Sequence, residues 1–384
     1  MTNRERLLAV LRNEPVDRVP IWLLFPYHRC GYYGDARTEP SYRPVFEASK
    51  QYAVHLDRRS FGVSLFTPDV QEGREQVVEN GWEVDRRQLH WQDLSLVADT
   101  RRRGNDVEIL KLVNDETDLE AYCSLPILTD KDAIHAQLER QLPKYRQEVA
   151  EFPLDFGSMM LDLGEPIGAL YGQSNLTEFP IWSLTQAAVI EGFLARVQEQ
   201  KRIVYAWCLE RQLADVYFLV GSELASPPMV GVGTFRKWIV PHARELIRMV
   251  HDAGCYAIQH YHGQISAILP YFLDMNPDAL HVIESPPIGD CTIAEAYDVV
   301  GDQIALIGNI QYDEFRSLTP AAMKRAVRDL FDEVDGRRFI LSPSAGPYEA
   351  TLSDTMAANY LAFMEAGWEC SSAGHGALPS SPTD

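Results

Sequence analysis

The chain has 384 residues, 46% of them hydrophobic, and a formal net charge of -20 at neutral pH. That length and apolar share suffice for one large α/β domain or two smaller ones. So acidic a protein excludes a nucleic-acid groove or an anionic membrane surface as natural partner, because both would repel it at long range; small molecules and proteins are left.

The opening, MTNRERLLAVLRNEPVDRVP, mixes charged and apolar residues and lacks the continuous apolar core of a secretory signal, so it reads as a mature N-terminus. Thr2 to Asn13 predicts an amphipathic helix with Leu7, Leu8 and Leu11 on one face, Thr2 or Asn3 as N-cap and Pro15 as its stop. VPIWLLF (19–25) predicts a buried strand, 44–62 a second helix, and VSLFTP (63–68) a short strand. From about Glu75 to Asn114, alternating and β-branched segments separated by Asn-Gly and Arg-Gly-Asn turns predict an antiparallel β meander, inserted into the main domain and packed on it.

After Thr129, apolar strands alternate with helices of ten to twenty residues. The predicted strands are DFGSMMLDLG, ADVYFLVGS, CYAIQHYH, ALHVIES, QIALIGNI and RRFILSPS; the helices include 233–254, 320–334 and 354–368. With the two N-terminal strands these make eight, the count of a (β/α)8 TIM barrel. An open doubly wound sheet is the alternative, weakened by the lack of a GxGxxG at a first strand end. The expectation is a single barrel domain over 1–370 with an N-terminal helical segment, the 75–114 insertion, and a disordered tail at 371–384. No stretch approaches the roughly 18 apolar residues of a membrane span. Six cysteines lie far apart without a CxxC pair, as expected of reduced thiols in a cytoplasmic protein.

A parallel barrel carries its chemistry at the carboxyl ends of its strands. There the sequence places Asp69, Asp162 and Glu165, Ser222 and Glu223, His260 and His262, Glu284, Asn309, and Ser344 near Glu349. In AIQHYHGQI, strand alternation points His260 and His262 the same way, and Leu280, Val282 and Glu284 share a face of the next strand. Two imidazoles and a carboxylate so placed suit Zn²⁺ with a fourth position open, or Fe²⁺ as a facial triad. The plainer reading makes both histidines hydrogen-bonded interior residues that meet a substrate directly. Glu223 could instead cap a helix, Asp69 serve the turn after Pro68, Asn309 bond a neighbouring loop, and Cys255 fill the core.

The order of NRERLLAVLRNEPVDRVPIW, VGSE with TFRKWIVPHARELIRMVHDAGC, HYHG, DCTIAEAYDVVGDQIALIGNI and RRFILSPSAGPYE resembles the uroporphyrinogen decarboxylase superfamily over almost the full length. The resemblance implies a (β/α)8 barrel and one of two activities, haem-pathway decarboxylation or corrinoid-dependent methyl transfer. Decarboxylases carry a signature resembling RQAGRY after the first strand; here FPYHRCGYY keeps only Arg29, with Phe25 at the first arginine, and Ala345 stands where they place a histidine. Asp69 in LFTPD still resembles the aspartate that gathers pyrrole NH groups. A substrate with eight carboxylates needs several cations, each bond contributing roughly 1.5 to 3 kcal/mol, so these losses weigh against decarboxylation.

In the methyltransferases the corresponding strand end resembles HxC, with a glutamate in some members and a cysteine on the last strand. His260 matches the first ligand, His262 replaces the cysteine, Glu284 falls at the acidic position, and the last cysteine is absent, with Tyr348 or Glu349 as stand-ins. Two imidazoles and a carboxylate leave a harder ion, suited to oxygen rather than sulfur. The resemblance therefore implies a methyltransferase with Zn²⁺ on His260, His262 and Glu284, moving a methyl group between a small oxygen-bearing substrate and a corrinoid carried by a partner protein. Glu223, Asp69 and Asn309 are the expected catalytic groups; Arg29, Glu165, Tyr171, Tyr348 and Glu349 are the expected substrate contacts. A metal-free decarboxylase centred on Asp69 and a non-catalytic ligand-binding barrel are the alternatives. The oligomeric state stays open, a homodimer among the options.

Overall fold

The computed structural model describes residues 1–31 and 33–372. Seven parallel strands form a curled sheet, and a four-stranded antiparallel sheet packs beside it. In chain order they are β1 (His55–Arg59), the meander β2 (Gln71–Glu79), β3 (Trp82–Trp91), β4 (Leu94–Arg103) and β5 (Asp106–Leu110), then β6 (Gly157–Leu161), β7 (Val216–Leu219), β8 (Tyr256–His260), β9 (Ala279–His281), β10 (Ala305–Ile310) and β11 (Phe339–Pro343). The parallel order is β1-β6-β7-β8-β9-β10-β11, with helices between successive strands. This is a TIM-barrel-like α/β fold, but not the closed eight-stranded barrel expected.

The difference lies at the N-terminal strand. Of residues 19–25 only Ile21 and Trp22 form isolated parallel bridges, to Leu341 within β11 and to Val54 just before β1. Pro20 has no N–H to give to a ladder, and Leu24 turns to φ +61°, so the extended run stops after two residues. The second helix is also shorter than expected: Arg43–Tyr52, after which Ala53 is extended and His55–Arg59 pairs with β6. Pairing to β6 overrides the amphipathic continuity of 44–62. VSLFTP forms no strand; only Phe66 bridges, antiparallel, to Ile127.

Elsewhere the local signals hold. Thr2 caps Asn3–Leu11 through a capping box with Glu5, a device contributing about 1 kcal/mol. The meander turns where Asn80 and Gly81 both take positive φ, the type I′ hairpin preference. Residues 233–254 split into Val232–Trp238 and Val240–Asp252 because Pro241 fits only a first turn. The last helix runs Asp354–Ser372, so the expected tail loses its first two residues to it and otherwise lies outside the described residues.

Two apolar layers position the site. One lies between strands and helices; the other fills the barrel, with Leu56, Met160, Phe218, Ile258, Ala279, Ile307 and Ile340 from successive strands. Leu7, Val10 and Leu11 of the N-terminal helix join this inner layer and plug the barrel's lower end. Buried Arg338 fixes that plug, donating to the carbonyls of Val10 and Leu11 at 2.7 Å each. Because side chains alternate, the residues two further along their strands also face inward at the carboxyl end, Arg58, His260, His281, Asn309 and Ser342, and Asp162, just past β6, is drawn to Arg58. A polar mouth thus stands on an apolar plug. Among the described residues no helix is long and apolar enough to cross a membrane.

Candidate functional site

β8 and β9 are in register with His260 opposite His281, so both rings enter the barrel at one level. The rings stack at 4.8 Å between centroids and 19° between planes, with Nδ1 facing Nδ1 at 2.6 Å. Trp22 lies 5.3 Å from the His281 ring and Phe218 5.5 Å from that of His260. Desolvation among these aromatics pushes His281 down to about 3 and holds His260 well below the usual imidazole range, so both are neutral at pH 7.

His262 follows the strand, its ring edge-on to His260 at 4.5 Å and its Nδ1 3.3 Å from Glu284 Oε2. The same oxygen accepts the Gly263 N–H at 2.7 Å. Burial opposes ionisation of Glu284, but the bonds from His262 and Gly263 outweigh it and hold the carboxyl below its ordinary range. His260, His262 and Glu284 therefore do gather at one mouth, with His281 as a fourth member.

Their donors engage one another in pairs, His260 with His281 and His262 with Glu284. Among the described residues no group of three His, Cys, Asp or Glu side chains stands ready to hold a metal ion. The donor chemistry fits a metal; the arrangement is not a preformed cage.

Beside this cluster a cavity of about 800 Å³ opens between the carboxyl ends of β1, β6 and β7 and the meander. Glu165, Tyr171 and Glu223 line it together with Arg58, Lys201 and Asp162. Arg58 Nε donates to Asp162 at 3.1 Å, and its guanidinium lies 5.1 Å from the Phe218 ring centre, so Arg58 links the cavity to the histidines. Glu223 accepts the Gly221 N–H at 2.9 Å and caps no helix. Buried Asn309 donates to Ser285 Oγ at 3.0 Å, in the loop after β9.

The remaining expected residues sit elsewhere. Exposed Asp69 is bound by the Thr67 hydroxyl and by Trp91 Nε1 at 2.8 Å, in a turn against the meander; Thr67, Pro68 and Val70 line the cavity and Asp69 does not. Arg29 and Tyr348 meet at a smaller cavity of about 490 Å³. Glu349 is taken up by the Tyr312 hydroxyl and Arg316. Ser344 bonds Gln311 Oε1 at 3.1 Å, and Cys255 is a buried strand-start thiol whose Sγ points to the Ala214 carbonyl at 3.4 Å.

Sequence reasoning missed His281, Arg58 and Lys201. A third histidine opposite His260 was visible in ALHVIES, but the parity drawn from Glu284 turned it outward; β9 ends at His281, so alternation does not reach Glu284. Arg58 was hidden inside a presumed helix.

Residues 206–369 match the family model described as Uroporphyrinogen decarboxylase (URO-D), a segment that holds His260, His262, His281 and Glu284. Two Methylcobamide:CoM methyltransferases MtaA, from Methanosarcina barkeri and from its strain Fusaro / DSM 804, are 27% and 26% identical over 172 residues, 45% of this chain. The chain spans about half the length of these curated relatives, 48% of each. A solved structure of a methyltransferase from Methanosarcina mazei covers 96% of this chain and 99% of its own, with TM-score 0.57 and 17% identity, a likeness of fold. The chain is thus similar to the uroporphyrinogen decarboxylase-like superfamily, by sequence through its C-terminal part, and nearly its whole length takes the fold of a methyltransferase structure.

Proposed function

We propose that this chain is a methyltransferase of the uroporphyrinogen decarboxylase superfamily, moving a methyl group between a small oxygen-bearing substrate and the corrinoid of a separate protein. The observation that carries the reading is the convergence of His260, His262, His281 and Glu284 at the barrel mouth, inside the family-matched segment and next to a cavity of small-molecule size. The methylcobamide in the relatives' name supports the corrinoid.

The reading takes Zn²⁺ on His260, His262 and Glu284. Protonation at two of the three supports it: a neutral His260 imidazole and an ionised Glu284 carboxylate are ligating states. Bound there, the ion would polarise a substrate oxygen. What the chain's own groups do follows from their contacts. Glu284 fixes the His262 ring, His281 fixes His260, and Arg58 with Asp162 forms the wall that joins them to the cavity. Glu223, steadied by Gly221, would orient the substrate or supply a proton at the cavity wall. Decarboxylation through Asp69 is disfavoured, because that carboxylate is exposed and already bound by Thr67 and Trp91.

Two variants separate these activities. Methyl transfer at the histidine cluster requires His262→Ala to lose at least about a hundredfold in rate while Asp69→Asn stays within about twofold; the reverse pattern rejects it. Plasma mass spectrometry on protein purified without chelator should find one zinc per chain, lost in His260→Ala. A metal-free wild type would sink the zinc component alone.

A further inference from the structure

Glu165 is only 3% exposed, lines the large cavity, and has no hydrogen-bond partner on either carboxylate oxygen. Buried Ser222 Oγ and Tyr261 OH are likewise without partners. A buried polar group in that state is costly unless something completes it.

The charges around the cavity indicate what that something is. Arg58 is paired with Asp162, Arg87 Nε with Glu72 at 2.9 Å, and Lys201 with the Leu163 carbonyl. Against these three cations the lining sets four carboxyls, Glu72, Asp162, Glu165 and Glu223, so ionising Glu165 leaves one negative charge over. We propose that the cavity binds one organic cation, an ammonium group from primary to quaternary, with Glu165 as counter-ion. Tyr171 and Phe61 also line the cavity, and aromatic rings attract alkylated ammonium groups. The proposal rests on the methyltransferase reading only in treating the cavity as the substrate's, and deepens it by giving the substrate a positive end.

The proton on Glu165 supports this. Burial pushes the carboxyl up to about 7; Ser222, near it but short of hydrogen-bond geometry, tempers the rise, Glu223 adds to it, Lys201 opposes it and Asp162 adds to it. Tyr205 from the helix Ala187–Glu210 and Tyr261 after β8 also face its charge, both pushed well above the phenol range and so neutral, and Tyr171 is a further phenol in the cavity lining. An arriving cation favours the ionised form, so binding expels a proton.

Isothermal titration of the full chain with choline and with its uncharged carbon isostere, 3,3-dimethyl-1-butanol, tests the proposal without methyl transfer. Choline should bind at least tenfold tighter than the isostere, and about tenfold tighter at pH 8 than at pH 6. Glu165→Gln should abolish the pH difference and cut the preference for choline at least severalfold. Equal affinities for the two ligands, no choline binding, a pH-flat choline affinity or an unaffected Glu165→Gln would each overturn it. Should that variant fail to fold, the wild-type ligand pair and pH series decide alone. Binding without methyl transfer would leave the cation site standing and the methyltransferase reading refuted.

Discussion

His260 and His281 share one hydrogen across 2.6 Å between their Nδ1 atoms, from adjacent strands in direct register. Because desolvation keeps both rings neutral, one must donate and the other accept, so each fixes the other's tautomer. The histidine beside the expected trio thus orients its first member.

Removing His281 should therefore cost both a bond and a filled space against Trp22. His281→Ala is expected to lose about 2–4 kcal/mol in urea unfolding. A loss under about 0.5 kcal/mol would show that the pair supports nothing.

Arg58 and Asp162 are the other inward pair at this level, with side chains 13% and 18% exposed. Arg58→Met strands a largely buried carboxylate and should cost about 3 kcal/mol, whereas Arg58→Met with Asp162→Leu should cost less than the single change. Equal or additive losses in thermal melts would contradict the pairing.

How much of this was legible follows from which force dominates at each residue. Strand ends with His260, His262 and Glu284 could be read because an apolar run stopping at polar residues is a local signal. The meander was readable for the same reason, its Asn-Gly turn announcing itself. β1 was not: His55–Arg59 becomes a strand only because β6 lies beside it, and Arg58 was lost with it. His281 was lost to a parity argument carried beyond the end of its strand. Glu165 was legible as a strand-end carboxyl, but its burial, with Ser222 and Tyr261 from two other loops near it, exists only in the folded chain.

The fold's outer layer offers a pH test. His251 Nε2 bonds Asp278 Oδ2 at 2.9 Å, and that bond, against burial, raises the histidine above its ordinary value. A raised folded pKa gives stability that is complete below the unfolded pKa of about 6.5 and is lost as pH rises through the folded value. The stability difference between wild type and His251→Gln should be larger at pH 5.5 than at pH 8.5, by no more than about 1 kcal/mol for so accessible a pair. A difference that grows with pH would contradict the assignment.

Methyl transfer to or from a corrinoid at the histidine mouth can be followed through the corrinoid's own absorbance. With free methylcobalamin and a panel of small alcohols and phenols, choline among them, the wild type should demethylate the corrinoid at least about a hundredfold faster than the protein-free mixture for one acceptor, and His262→Ala should not. A wild-type trace that overlays the protein-free trace for every acceptor would rule out methyl transfer at this site.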